Sequence, residues 1–168
     1  MNIVLIGFMG SGKTTVGKQL AINLGYRFLD TDQYIEKTTN KKIRDIFASQ
    51  GEDAFRAMEC GTMKDVANMD HTVIATGGGL PISEQSRIYV KRAGLVIYLK
   101  ANEETLWKRL EKDHTRPLLS GNNPKEKIHS ILSERAPMYQ QVSDYVVEVD
   151  NRNLRDIIKE IEIIVKSA

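Results

Sequence analysis

Residues 2–14, NIVLIGFMGSGKT, drive a short β-branched apolar run straight into an octapeptide with glycine at positions 7, 10 and 12, closed by Lys13 and Thr14. The octapeptide fits G-x-x-x-x-G-K-[ST], and it stands where that pattern needs to stand, after a strand-like run and before a helical one. The segment therefore predicts a buried strand, a tight glycine turn, and a helix whose first N–H groups face the turn. Successive inward N–H groups and the positive end of the helix dipole suit a polyphosphate. In that reading Lys13 reaches the β- and γ-phosphates, and Thr14 holds Mg²⁺ through its hydroxyl. The plain alternative is a strand-to-helix turn carrying a solvated Lys13.

The rest of the chain repeats the alternation. Apolar runs at 72–76, 95–99 and 145–149 are rich in Val and Ile, and YRFLD at 26–30 is a weaker fifth. Runs this short and this apolar suit buried parallel strands. Helical patterns lie between them: Val16, Leu20 and Leu24 ahead of Gly25, then Leu154, Ile157, Ile158, Ile161, Ile164 and Val165 with Asn153 placed to cap them. Strands alternating with helices imply a parallel sheet covered on both faces, and 168 residues suffice for one such domain. Two stretches break the pattern. Residues 31–69 are too long for one crossover and read as a helical insert, with Ile43, Ile46, Phe47, Phe55 and Met58 spaced along IRDIFASQGEDAFRAME. KDHTRPLLSGNNP, at 112–124, has the Pro, Gly and Asn content of an irregular loop and reads as a mobile lid.

Composition removes several classes of function. With 24 Lys and Arg against 22 Asp and Glu the formal charge is +2, and no long basic run is present, which argues against nucleic acid as a partner. The single cysteine, Cys60, cannot form an intramolecular disulfide, and the first apolar run passes into glycines instead of a cleavage site. No apolar stretch nears the roughly 20 residues that cross a bilayer. A cytoplasmic location away from membranes is expected. His71, His114 and His129 lack the spacing of a zinc site. Trp107, with Leu106 and Leu110, reads as helix core, and Cys60 as a half-buried small residue.

Two further motifs bear on a second substrate. FLDTD places Asp30 and Asp32 two apart at a strand end, about 6.6 Å along one face if the chain stays extended. One carboxylate can then serve the outer shell of a metal while the other accepts a hydroxyl proton; an ordinary acidic strand exit or helix N-cap is the equal alternative. ATGGGLP places Gly77, Gly78 and Gly79 in a row, which asks what comes so close that no Cβ is tolerated. In an open parallel sheet all three motifs project to the ligand-binding edge, so the glycines read as a floor for phosphate or acceptor. A flexible turn before Pro81 is the alternative. Glu59 follows Arg56 by three residues and either holds that guanidinium or forms a solvated ion pair.

In their order, GFMGSGKT, LDTD, DIFASQGEDAFRAME, TGGG, RPLL and RAPMY make the chain resemble the shikimate kinases, nearly end to end. The resemblance implies a three-layer α/β/α P-loop kinase fold with a central five-stranded parallel sheet, a substrate-binding insert at about 31–60, a lid at about 112–124, and a monomer. It implies ATP and shikimate as substrates, with Mg²⁺, and transfer of the γ-phosphate to the 3-hydroxyl of shikimate. ATP would be bound by Gly10, Ser11, Gly12, Lys13, Thr14 and Thr15, with Arg109 and Arg152 beside the adenine and Arg116 brought over the transferring phosphate from the lid. A cation in that last role is worth roughly 10³ to 10⁵ in rate. Asp32 would orient or deprotonate the acceptor, Arg56 and Arg135 would bind its carboxylate, and Gly77, Gly78 and Gly79 would line its pocket. Lys13, Asp32 and Arg116 are thus the catalytic candidates. Strand 72–76 ends in Thr76 where many phosphate-loop enzymes carry an acidic residue, which leaves the metal to Thr14, phosphate oxygens, and water held by Asp30 and Asp32. Two other readings keep the phosphate loop: a kinase for gluconate or a nucleoside monophosphate, and a nucleotide-dependent switch without transfer chemistry.

Overall fold

Each run expected to be a strand is one, in a computed structural model that describes residues 1–113 and 121–168. The strands are β1 (Asn2–Ile6), β2 (Arg27–Asp30), β3 (Thr72–Ala75), β4 (Gly94–Lys100) and β5 (Tyr145–Glu148). They form one sheet in the order β2-β3-β1-β4-β5, and every pairing is parallel. Because β1 lies in the middle, Ile3, Val4, Leu5 and Ile6 are all fully buried, which is why that run is apolar on both faces. Parallel neighbours need crossovers, and helices supply them, among them α1 (Lys13–Leu24), α4 (Glu84–Ala93), α5 (Glu103–Leu110) and α6 (Pro124–Val142); α7 (Leu154–Ser167) follows the last strand.

The last helix follows its sequence pattern. Ile157, Ile158 and Ile161 are buried in the main core, and the Asn153 side chain accepts the Asp156 N–H at 2.9 Å as an N-cap. Gly25 ends α1 in the left-handed region at φ 68°, where a Cβ would be strained. Trp107 departs from expectation. It is half-buried, with Lys125 Nζ 5.8 Å above its ring, while Leu106 and Leu110 carry the buried face of α5. The Trp107 side chain packs against the main core while staying partly exposed.

The insert consists of α2 (Thr31–Thr39) and α3 (Ile43–Val66), and it has a small core of its own. Ile35, Ile46 and Phe55 are buried together, with Ile43, Phe47 and Met58 packed against them. The long helical pattern is interrupted at Gly51 (φ 83°, ψ 174°), so the residues on either side form two helical segments meeting at an angle set by glycine. Residues 114–120, which include Arg116 and most of the expected lid, lie outside the described residues. Among the described residues, no helix is long and apolar enough to cross a membrane.

Close packing of β1 on β4 generates a test. Gly94 faces Asn2 across the ladder, and a Cβ there would collide with the Asn2 carbonyl oxygen and lie 2.7 Å from its carbon. Asn2 cannot retreat, because its side chain donates to Met69 O and Ala93 O and accepts from the Thr72 N–H. Gly94→Ala is expected to cost about 1–3 kcal/mol of stability, the usual range for overpacking, as read from urea unfolding midpoints.

Candidate active site

The site is built where β1, β2 and β3 end. Gly12 precedes α1 with φ 98°, a left-handed conformation, and no side chain caps the helix. The first N–H groups of α1 are thus left for an anion. Lys13 is 8% exposed and folds back over the loop, its Nζ donating to Gly7 O at 2.7 Å and Phe8 O at 2.9 Å. Those carbonyls hold the ammonium over the loop.

Asp30 and Asp32 do not share a strand face. The chain turns into α2 at Thr31, and the Asp30 carboxylate caps it by accepting the N–H groups of Asp32 (3.0 Å) and Gln33 (3.1 Å). Its other oxygen accepts the Thr14 hydroxyl at 2.7 Å. Cap and link to the phosphate loop are therefore one carboxylate, and the helix N-cap alternative is what Asp30 forms. Thr76 at the end of β3 donates its hydroxyl to Leu5 O and is tied to β1.

A cleft of about 920 Å³ opens over the loop, within the range of pockets that hold small ligands. Gly10, Gly12, Lys13, Thr14, Thr15, Asp30, Asp32, Gly77, Gly78, Arg109 and Arg152 line it. Ser11 is buried beneath the loop and its hydroxyl has no hydrogen-bond partner. Arg109 donates to Gly10 O at 2.9 Å, while Arg152 is paired with Glu160 at 2.6 Å. Beside the cleft a smaller pocket of about 70 Å³ is lined by Asp32, Arg56, Glu59, Arg135 and Gly77 to Gly79, together with apolar Met9, Ile43, Phe47 and Phe55. Asp32 borders both spaces.

The glycine run has a physical reason different from the one expected. None of Gly77, Gly78 and Gly79 has positive φ. A Cβ on Gly77 would lie 2.7 Å from Asp32 Oδ1 and from Glu59 Oε2, and one on Gly79 would enter the Arg56 guanidinium. What comes close is the charged equipment of the site itself. The run is a clearance for those side chains.

Glu59 was legible as a neighbour of Arg56, but its depth was not. It is 1% exposed and pairs with Arg56 at 2.5 Å, so the solvated-pair alternative does not hold. Burial pushes its carboxyl up to about 7, against the pull of Arg56; Asp32 adds like-charge repulsion, and Arg135 opposes the rise. For Arg56, burial works against the charge, yet Glu59 and Glu52 outweigh it and raise the pKa. Arg135 is 4% exposed. Glu59 Oε2, Arg56 Nε and Arg135 Nη1 are buried with no hydrogen-bond partner, as expected of polar atoms that a ligand completes.

The family profile described as shikimate kinase matches residues 9–166. The chain belongs to the shikimate kinase family. It is 43% identical to a shikimate kinase of Symbiobacterium thermophilum over 163 residues, spanning 96% of this chain and 94% of that one. It is 41% identical to one of Thermoanaerobacter pseudethanolicus, spanning 95% and 93%. Among solved structures, the Acinetobacter baumannii shikimate kinase in complex with shikimate superposes with a TM-score of 0.96 at 38% identity, covering 99% of this chain and 93% of that one. A deoxyadenosine kinase from M. mycoides, at TM-score 0.61 and 19% identity, shares the fold alone. The fold and family implied by the ordered motifs are thus those of the chain.

The buried Glu59 has a pH consequence for this family member. With its folded-state pKa raised from 4.5 to about 7, the folded protein retains a proton that the unfolded chain releases. The associated stability is complete below the lower value and is lost as pH rises through the higher one. Urea unfolding at pH 5 and pH 8 should show Glu59→Gln gaining stability relative to wild type as pH rises; a constant difference would contradict the raised pKa.

Proposed function

We propose that this chain transfers the γ-phosphate of ATP to the 3-hydroxyl of shikimate, giving shikimate 3-phosphate and ADP on the route to chorismate and the aromatic amino acids. The observation that carries this reading is the small pocket lined by two guanidinium groups, Arg135 buried and Arg56 partly so, and an aspartate, beside the cleft over the phosphate loop. A compact hydroxy acid needs cations at one end and a proton acceptor at the other. Arg56 and Arg135 supply the first, and Asp32 the second. A gluconate or nucleotide acceptor explains the loop equally well but not this pairing.

In this mechanism the loop N–H groups and Lys13 hold the donor's phosphates, with Ser11, Thr14 and Thr15 on the same turn and Arg109 and Arg152 beside the base. Asp32 accepts the proton of the acceptor hydroxyl as its oxygen attacks the γ-phosphorus in line and the bond to the β-phosphate oxygen breaks. Gly77 to Gly79 keep the acceptor's pocket clear. Thr14 and Asp30 fit Mg²⁺, since a hydroxyl and a carboxylate oxygen 2.7 Å apart face the cleft, one as ligand and the other through water. The ion, when bound, neutralises phosphate charge. Arg116 is assigned to the transferring phosphate on the RPLL resemblance, as part of a lid at about 112–124 that excludes water. The insert at about 31–60 acts as the acceptor-binding unit. The reading also makes the protein a cytoplasmic monomer that uses neither nucleic acid nor membrane.

Purified protein with Mg-ATP should release ADP at a rate that rises strongly on adding shikimate, with a phosphorylated product. An unchanged rate would retire the acceptor assignment. Asp32→Asn should lower kcat by at least about 10²-fold, the scale of a lost general base, while ATP affinity measured by calorimetry stays the same. Wild-type turnover by that variant would remove Asp32 from the chemistry.

A further inference from the structure

Helix α6 places a second residue of the RAPMY stretch in the site, one turn beyond Arg135. Tyr139 is 1% exposed, and its hydroxyl donates to the Gly78 carbonyl at 2.5 Å. Its ring is braced by Tyr98 of β4, with centroids 5.1 Å apart and planes tilted by 41°. Gly78 lies between the phosphate loop and Arg135. A Cβ there would lie 3.2 Å from Met9 N and 3.5 Å from Gly7 O in the phosphate loop, and 3.6 Å from Arg135 Nη1. Gly7 O is also one of the carbonyls holding Lys13.

We infer that Tyr139 is a positioning residue of the acceptor site, its hydroxyl pinning the middle glycine between the phosphate loop and Arg135 so that the carboxylate-binding guanidinium is correctly placed. This rests on the function proposed above. A glycine run carries no side chains to anchor itself, so its path depends on what grips its main chain. Thr31 grips one end, accepting the Gly77 N–H at 2.9 Å, and Tyr139 grips the next residue through its carbonyl. The hydroxyl stays protonated, because burial pushes its pKa up to about 12, with the charge of Arg135 and a side-chain hydrogen bond to it acting the other way. The Tyr98 contact holds the ring in place independently of the hydroxyl, so Tyr139→Phe removes the hydroxyl's bonds to the Gly78 carbonyl and to Arg135 while keeping the ring.

The test is steady-state kinetics of Tyr139→Phe with Tyr98→Phe as the control, alongside thermal unfolding of each. Losing the hydroxyl's buried hydrogen bonds should raise the shikimate KM of Tyr139→Phe by about five- to tenfold, leaving its ATP KM and kcat within about twofold of wild type. Tyr98→Phe should leave the shikimate KM unchanged. An unaltered shikimate KM in Tyr139→Phe, an equal rise in both substrates' KM, or the same rise in Tyr98→Phe would each overturn the inference, the last two marking a merely structural role. Wild-type protein inert toward shikimate would overturn the proposed function together with this inference. An active wild type with an indifferent Tyr139→Phe overturns the inference alone.

Discussion

Everything at the active site depends on β1 being hydrogen-bonded on both sides. Its neighbours β3 and β4 run parallel to it, so Leu5 stands level with Ala75 on one side and Ile97 on the other. Parallel pairing sends the C-terminal ends of all these strands to one edge, and there the glycine loop, the Asp30 cap and the glycine run meet. The register carries on past the strand, since Thr76 returns both its N–H and its hydroxyl to Leu5 O. A slip by one residue would separate the phosphate loop from Gly78 and leave the donor and acceptor pockets without a shared wall.

On this frame the site concentrates charge where water has little access, with Glu59 and Arg135 buried and Asp32 and Arg56 partly so. Asp32, Arg56, Glu59 and Arg135 converge on a pocket of about 70 Å³. Burying charges of both signs together is costly unless they are paired, and the Arg56 to Glu59 contact meets part of that cost. The rest is left open in Glu59 Oε2, Arg56 Nε and Arg135 Nη1, which are buried with no hydrogen-bond partner. The three glycines make the arrangement sterically possible. Tyr139 and Thr31 then restore, through main-chain hydrogen bonds, the order that a run without side chains lacks.

Some of this was legible in the chain and some was not, for reasons that can be stated residue by residue. The strands and the last helix were readable because burial on both faces or on one face writes its period into the sequence, as in Ile3 to Ile6 and Ile157 to Ile161. Gly51 was readable as a glycine but not as a break, since a helix tolerates a single glycine at modest cost. Trp107 was misread as core because amphipathic spacing does not say how deeply a large ring sits. Asp30 was ambiguous because the same residue type ends strands, caps helices and serves metals, and it took the turn at Thr31 to show that it caps α2 while binding Thr14.

The sequence alone determined the order of strands and helices, the phosphate-binding turn and the family, because each is carried by neighbours along the chain: hydrophobic period, glycine position and ordered motif. Tertiary structure decided which charges share a pocket, that Glu59 is buried and not solvated, and that the glycine run clears space for Asp32, Glu59 and Arg56. Those facts depend on how α2, α3 and α6 pack around the end of β3. Residues as distant in sequence as Arg56 and Arg135 meet there only because the parallel sheet brings its crossovers to one edge, and no local pattern encodes a desolvation that arises from that meeting.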